Sequence, residues 1–407
     1  MSDPSKARRE FVSAAKLETI AGTHTWTWPL ISVVVGLVSA TTLAIIHYQL
    51  DLGTYLLGGQ HVFRPDLYAV ADKSTGLGFT YPPFAALWFV PLSHLPERLA
   101  QVLFTWVSLG AILVVIATSL RATCPALQRR TVAWWSLLLV TPVGLFDPLR
   151  ETIILGQVNI LLAAAVIVDM TVIRPGSRGY LVGIAAAIKI TPLILIPYLL
   201  FTQRGGAWRR ATLGFVAAAG IGFVAAPHSS WRYWSHEVWT PGRAGDLAWL
   251  GNQGLIGVVR RFHFQPINNV VTFVLISVIV VLGLSIAVRT YRRSSPVFGF
   301  LVIEATESLA SPVSWSHHFV WIVLLIAWLA LGRDRPVHGP LWAAAVALIF
   351  WAAPIWWVPQ DSAIKYAQHG LFTVLADSFF LTLCVVPIGA LKRLIRHPEQ
   401  NEIFLID

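Results

Sequence analysis

Asp51 stands just past the first long apolar run of the chain, residues 28–48, which carries no Asp, Glu, Lys or Arg. About 20 such residues are what a helix needs to cross a bilayer. A carboxylate placed there lies at the membrane face, where water and lipid-borne substrates both come within reach. Lys189 interrupts a second apolar stretch, GIAAAIKITPLILIPYLL, where an unpaired ammonium costs roughly 3 kcal/mol. It therefore either binds an anion such as a phosphate or pairs with Glu304 or Glu307, which lie one helical turn apart on one face. His317 and His318 close the segment SPVSWSHH, and Gln157 and Asn159 open a further span after Asp147, Arg150 and Glu151. Asn252 and Gln253 precede Arg260 and Arg261 in a long loop. Ionisable groups at membrane depth are functional candidates by default, although some only pair with each other to hold helices.

Each of these residues also has a plainer reading. Asp51 is then an ordinary interfacial carboxylate, and the two histidines are interfacial anchors. Trp231, Trp234, Trp239 and Trp249 form an aromatic belt rather than a surface on which a sugar stacks. The adjacent histidines have no carboxylate at zinc-site spacing, and Cys124 and Cys384 offer neither a disulfide framework nor a zinc motif. No metal site is expected.

The elements that must position these groups follow from composition. The 407 residues are 56% hydrophobic and 12% charged, against about 25% charged in a soluble domain. Apolar runs follow one another along nearly the whole length, so the chain reads as an all-α integral membrane protein, helices being the solution for continuous apolar runs in hydrocarbon. Barrel strands would alternate apolar and polar residues. The net charge of +10 is spread over short basic clusters between hydrophobic segments, which mark cytoplasmic span ends rather than a nucleic-acid surface.

Residues 1–25 are polar, with Lys6, Arg8, Arg9 and Lys16. The run from Trp28 exceeds the ~7–15 residues of a signal-peptide core, so it reads as a retained first helix with a cytoplasmic N-terminus. Further spans are expected near 82–95, 99–120, 131–147, 157–173, 180–201, 211–226, 268–288, 297–313, 318–332, 341–358 and 371–391. The whole is one polytopic domain of about 12 transmembrane helices, with a polar tail over 393–407. Two loops are long enough to hold chemistry, 51–81 and 227–266, and both fall on the extracytoplasmic side of this count. In the first, residues 52–60 suit an amphipathic helix along the interface. The same count puts the basic loop 121–130 outside, against the positive-inside tendency. The prolines within 82–95 and 180–201 allow either segment to be broken or re-entrant, which would change the parity.

Six motifs then stand in order: DLGTY at 51–55, GFTYPPFAAL at 78–87, PLRETIILGQVNILL at 148–162, GIAAAIKITP at 183–192, NQGLIGVVRR at 252–261 and SPVSWSHHFVW at 311–321. This series resembles the polyprenyl-phosphomannose-dependent α-1,2-mannosyltransferases of mycobacteria and their relatives, from about Asp51 to Trp328. YPPF alone is common to many lipid-dependent glycosyltransferases; LGQVN, IKITP and SWSHH together are more specific.

The resemblance implies a GT-C type multi-helix bundle in the plasma membrane, with extracytoplasmic loop helices and an active site facing outward. It implies a β-linked polyprenyl-phosphomannose donor, an α-linked product and hence inversion. The first-loop acid, here Asp51, is the expected general base. His318 and Lys189 lead the expected contacts to donor phosphate and sugar, with His317, Asn252, Gln253, Arg260, Arg261 and Tyr81, and more weakly Tyr55, Gln157 and Asn159. No cofactor or metal is implied, because nearby cations can neutralise one lipid-bound phosphate. The acceptor is a phosphatidylinositol mannoside, a lipomannan or arabinomannan chain, or another mannan. An arabinofuranosyltransferase using decaprenyl-phosphoarabinose stays open as an alternative. So does a lipid or sugar transporter, although the halves show none of the repeats of many transporters.

Overall fold

The computed structural model describes residues 4–73, 75–203, 205–261, 269–359 and 370–396. These residues are helical throughout, joined by turns and two isolated β-bridges. In chain order the helices are α1 (Pro4–Thr23), α2 (Thr27–Ile46), α3 (Leu50–His61), α4 (Pro83–Ser93), α5 (Glu97–Thr123), α6 (Arg129–Gly144), α7 (Asp147–Leu155), α8 (Asn159–Thr171) and α9 (Tyr180–Ile188). There follow α10 (Leu195–Thr202), α11 (Ala207–Ala225), α12 (Pro227–Ser235), α13 (Leu255–Arg261), α14 (Asn269–Arg293) and α15 (Pro296–Ala310). The last four are α16 (Ile322–Leu331), α17 (Gly339–Ala352), α18 (Leu371–Ala376) and α19 (Ser378–Arg396).

Among the described residues α2, α5, α14 and α19 are long and apolar enough to cross a bilayer, and the pair α6–α7, bent by 76°, makes a fifth if counted as one span. The chain is a multi-pass membrane protein. Of the polar tail, 397–407 lies outside the described residues, as do 262–266 of the second loop and Ser74 of the first.

Two compact units divide the chain: Met1–Ser32, Val115–Pro148 and Asp246–Asp407 form one, Val33–Val114 and Leu149–Gly245 the other. In the second, which contains Asp51, glycines set the packing. A Cβ on Gly183 of α9 would come within 2.0 Å of Ala211 O on α11, and one on Gly179 within 2.2 Å of Ala207 O. That register makes α9 and α11 parallel neighbours at the close approach that small residues permit between membrane helices.

The run 180–201 is not a single helix. α9 ends at Lys189, whose backbone is extended (φ −138°, ψ 128°), and a 3-10 turn over Thr191–Ile194 leads into α10. Pro192 suits the first turn of a new helix and not the interior of a continuing one. After α10, Gln203 Oε1 accepts from Arg178 Nη1 at 3.3 Å, so both ends of the segment meet and Lys189 is its apex. At 1.5 Å per residue the nine residues of α9 rise about 14 Å, under half of a ~30 Å hydrocarbon core. The segment turns back.

The run 82–95 does not carry the chain across either. α4 lies along α3: a Cβ on Gly59 would meet the Phe89 carbonyl carbon and oxygen at 2.8 Å, and Gln60 Nε2 donates to Ser93 O at 3.5 Å. The start of α5 is beside the end of α2, where Arg98 Nη1 donates to Ile45 O and Gln49 Nε2 donates to Thr105 Oγ1 at 2.9 Å. In the other unit, the backbone N–H of Gln128 donates to Glu18 Oε1 at 3.0 Å, and Trp134 Nε1 to Thr25 O at 3.3 Å. The basic loop 121–130 therefore sits beside α1 and the start of α2, which corrects its expected separation from the N-terminus. In α3 the buried residues Leu52, Thr54, Tyr55, Leu56, Gly58 and Gly59 share one broad face, and the less buried Gly53, Leu57 and Gln60 lie on the other.

The unit containing His317 packs α14 on α15, with Gly283 facing Thr306, and α16 on α17. Its core includes Phe319, Phe350 and Phe379, the last two stacked with centroids 4.1 Å apart.

Candidate active site

Asp51 occupies the first turn of α3, where the positive end of the helix favours a carboxylate. Two neighbours fix that helix end. Gln49 Nε2 donates to Ile153 O at 2.8 Å as well as to Thr105, and Thr54 Oγ1 donates to Asp51 O at 2.8 Å. Tyr55, one turn on from Asp51, shares its face and is fully buried.

Gln157 reaches the same point from the turn between α7 and α8. Gly156 makes that turn at φ +68°, and a Cβ there would strike Leu52 Cβ at 2.6 Å; glycine suits both demands. The Tyr55 hydroxyl donates to Gln157 Oε1 at 2.8 Å and lies 3.2 Å from the Tyr81 hydroxyl. Tyr81 Oη is itself 3.5 Å from that amide oxygen. With its carbonyl taken up by tyrosine, Gln157 hydrogen-bonds the Asp51 carboxylate through its NH2 group.

Lys189 completes the cluster. The helix break at the apex frees its side chain to donate from Nζ to Asn159 Oδ1 at 2.7 Å, and Nζ lies 5.7 Å from the centroid of the Tyr81 ring. Thus LGQVN supplies two amides two residues apart, one to the carboxylate and one to the ammonium. IKITP supplies the ammonium, and YPPF the tyrosine beside both.

Burial pushes the Asp51 carboxyl up from 3.8 to about 6, against the opposing pull of the Gln157 hydrogen bond and the Lys189 charge. Burial and then the neighbouring Asp51 charge hold the Tyr81 proton on, and burial does the same for Tyr55. Both phenols therefore stay donors at neutral pH, while Asp51 remains half-buried and changes charge near pH 6. A carboxylate so poised can take a proton from an incoming hydroxyl.

The other expected residues lie in the first of the two units. Asn252 is buried and fully engaged: Nδ2 donates to Leu247 O at 2.9 Å and Pro312 O at 3.1 Å, and Oδ1 accepts from Ser314 N at 2.9 Å. Gln253 Nε2 donates to Leu250 O and Ala376 O, both at 2.7 Å, and its Oε1 accepts from Phe380 N. Arg261 is buried on Asp377 and also donates to Trp249 O and Asn252 O. These three side chains pin the loop before α13. Arg260 is exposed. His317 is buried and His318 half-buried in the 3-10 turn Ser316–Trp321, with ring centroids 4.9 Å apart. Among the described residues no three His, Cys, Asp or Glu side chains converge as metal ligands.

Three residues near Asp51 escaped the sequence reading. The Tyr68 hydroxyl donates to Tyr81 O at 2.7 Å, Arg243 Nη2 donates to Phe79 O at 2.8 Å, and buried Glu237 pairs with Arg243 and Arg232. The available signal was one Glu between two Arg in an otherwise aromatic stretch.

The pattern of glycosyltransferase family 87 matches residues 79–312. The chain is 28% identical over 399 residues to the polyprenol-phosphate-mannose-dependent alpha-(1-2)-phosphatidylinositol mannoside mannosyltransferase of Mycobacterium tuberculosis, covering 90% of this chain and 93% of that one. It is 31% identical over 351 residues to the protein of the same name from Mycolicibacterium smegmatis, covering 78% of each. A phosphatidylinositol pentamannoside mannosyltransferase of Mycobacterium tuberculosis is 32% identical over 296 residues, 70% of this chain and 68% of that one. No solved structure matches the chain. The matched residues take in the YPPF, LGQVN and IKITP motifs that meet at Asp51, and this chain belongs to glycosyltransferase family 87.

Proposed function

We propose that the protein transfers mannose, with inversion, from polyprenyl-phosphomannose to a hydroxyl of a mannoside glycolipid, forming an α-1,2 linkage. The relatives' names supply the donor and the acceptor class. The observation that carries the mechanism is the juxtaposition of half-buried Asp51 with Gln157, Tyr81 and the Lys189–Asn159 pair. Asp51 removes the proton from the acceptor's 2-hydroxyl as that oxygen attacks C1 of the donor mannose. The C1–O bond to phosphate breaks with its electron pair, leaving polyprenyl phosphate. Lys189 stabilises the charge gathering on that phosphate, and Asn159 holds the ammonium in place. Tyr55 and Tyr81 donate to Gln157 and so keep its NH2 group on the base. One lipid phosphate facing a fixed cation needs no metal. Nothing in the family or the relatives favours a pentose donor or transport.

The topology has its own support. Arg174, Arg178, Arg209 and Arg210 lie at the turns into α9 and α11, the end of the re-entrant segment away from Lys189. Basic short loops mark the cytoplasmic side, so the site faces the extracytoplasmic side of the plasma membrane. With 82–95 and 180–201 turning back, the expected 12 crossings of a single GT-C type bundle become about 10, and loop 121–130 returns to the cytoplasm.

The test is radiolabelled mannose transfer by purified protein from polyprenyl-phosphomannose to a phosphatidylinositol mannoside, with Asp51→Asn as the partner measurement. Transfer by wild type that collapses in the variant is the expected result. Equal transfer by both removes Asp51 from the base role, and none by wild type removes the acceptor class.

A further inference from the structure

Tyr81 is not fixed by its own loop alone. Its carbonyl accepts from Tyr68 Oη at 2.7 Å, and two residues earlier Phe79 O accepts from Arg243 Nη2 at 2.8 Å. Arg243 comes from the 3-10 turn Pro241–Ala244 in the second long loop, and its guanidinium lies 5.3 Å from the centroid of the Tyr68 ring. Glu237, 6% exposed, holds that guanidinium from its other side and also accepts from Arg232 Nε at 2.7 Å. Tyr233 of α12 stacks on Tyr68 with centroids 5.9 Å apart. A weaker, neutral link between the two loops is the hydrogen bond from Ser229 Oγ to Arg64 O at 3.4 Å.

We infer that the Glu237–Arg243 pair is a latch by which the second loop positions Tyr81, and through Tyr81 the base Asp51, for the transfer reaction. The inference rests on the mannosyl-transfer reading and adds to it a positioning residue that never touches the reacting atoms. A buried carboxylate held by two guanidiniums is rigid only while both partners are present, and Arg presents a planar fork that Lys does not replace. Releasing Arg243 lets residues 79–81 move away and admits water to Asp51. The groups facing that carboxylate are Tyr55 of its own helix, Gln157, Lys189 and Tyr81. Of these only Tyr81 lies on the segment Arg243 holds. A wetter Asp51 titrates nearer the ordinary carboxylate range.

The test measures kcat, KM for the donor and the pH profile of transfer for wild type, Arg243→Gln, Arg243→Lys and Glu237→Gln, with thermal unfolding in detergent as the control for folding. A latch predicts a fall in kcat of about tenfold or more for Arg243→Gln, with donor KM within a few-fold. The acid limb of its profile, near pH 6 in wild type, moves down by half a unit or more. Arg243→Lys recovers part of kcat because it keeps the charge on Glu237. Variants that lose thermal stability while folded protein keeps wild-type kcat and an unmoved acid limb overturn the latch and leave a plain loop staple. If Arg243→Gln does not fold, Glu237→Gln and Arg243→Lys decide by the same readouts. Wild type inactive with every mannoside would instead defeat the mannosyl-transfer reading, an outcome distinct from an active wild type matched by its variants.

Discussion

The two units each bury a cluster of amides, cations and a carboxylate, and they use them in opposite ways. Around Arg261 and Asp377 the cluster is closed: the ion pair is buried, and Asn252 and Gln253 donate both amide hydrogens to backbone carbonyls. Around Asp51 it is open. The carboxylate keeps part of its surface, the nearby Lys189 ammonium also donates to Asn159, and burial raises the Asp51 pKa to about 6. A fully satisfied polar network rigidifies a loop; an under-compensated carboxylate carries an energetic cost in the folded protein and is thereby reactive. The same residue types make a closed staple or leave a carboxylate open, according to how completely their hydrogen bonds are met.

The sharpest way to break this contrast is Asp51→Asn. Transfer should fall at least about 100-fold, the scale of lost proton-transfer catalysis, and activity within a few-fold of wild type would erase the distinction. Stability should move the other way. Because the folded state raises this pKa from 3.8 to about 6, it binds the proton more tightly than the unfolded chain, and stability is lost as pH rises through that window. Asp51→Asn should therefore melt higher than wild type above pH 6 and level with it below pH 4. The wild-type rate should climb with pH through about 6.

Lys189→Ala comes next. A charge-assisted hydrogen bond is worth about 1.5–3 kcal/mol, so donor affinity should drop roughly 10- to 100-fold by titration of the detergent-solubilised protein. Unchanged affinity would return Lys189 to a role in holding Asn159.

In the closed cluster the readout changes from rate to stability. Asp377→Asn leaves the Arg261 guanidinium buried without its counter-charge and should cost about 3–5 kcal/mol, seen as a lower melting temperature. Rate per folded molecule should stay within a few-fold. A specific loss of donor affinity in that variant would show the cluster to be functional after all. Tyr55→Phe is the smallest expected effect, about 0.5–1.5 kcal/mol for one neutral hydrogen bond. It should slow transfer by up to about tenfold with little change in melting.

Much of the site was legible because its residues sit in short motifs with local causes. Gln157 and Asn159 open an expected span, and the prolines within 180–201 allow the break that follows Lys189. The membrane class followed from the apolar runs. What was not legible depended on partners far away in sequence. Asn252, Gln253 and Arg261 were expected as sugar and phosphate contacts, and the carbonyls of residues 247, 312 and 376 and the carboxylate of Asp377 that they meet could not be read from the sequence. Tyr55, Gln157 and Asn159 ranked low on sequence and stand in the Asp51 cluster. The Glu237–Arg243 pair drew no notice in a loop dominated by tryptophan.

Hydropathy is a sum over neighbouring residues, so the sequence by itself determined a helical membrane protein, a carboxylate at the end of its first span and a lysine where apolar residues were due. Whether an apolar run crosses the bilayer or returns depends on contacts such as Arg178 with Gln203, and whether a carboxylate is stapled or poised depends on which donors reach it. Those are distances between segments up to more than 100 residues apart, as Tyr55 and Gln157 are, and tertiary packing alone sets them.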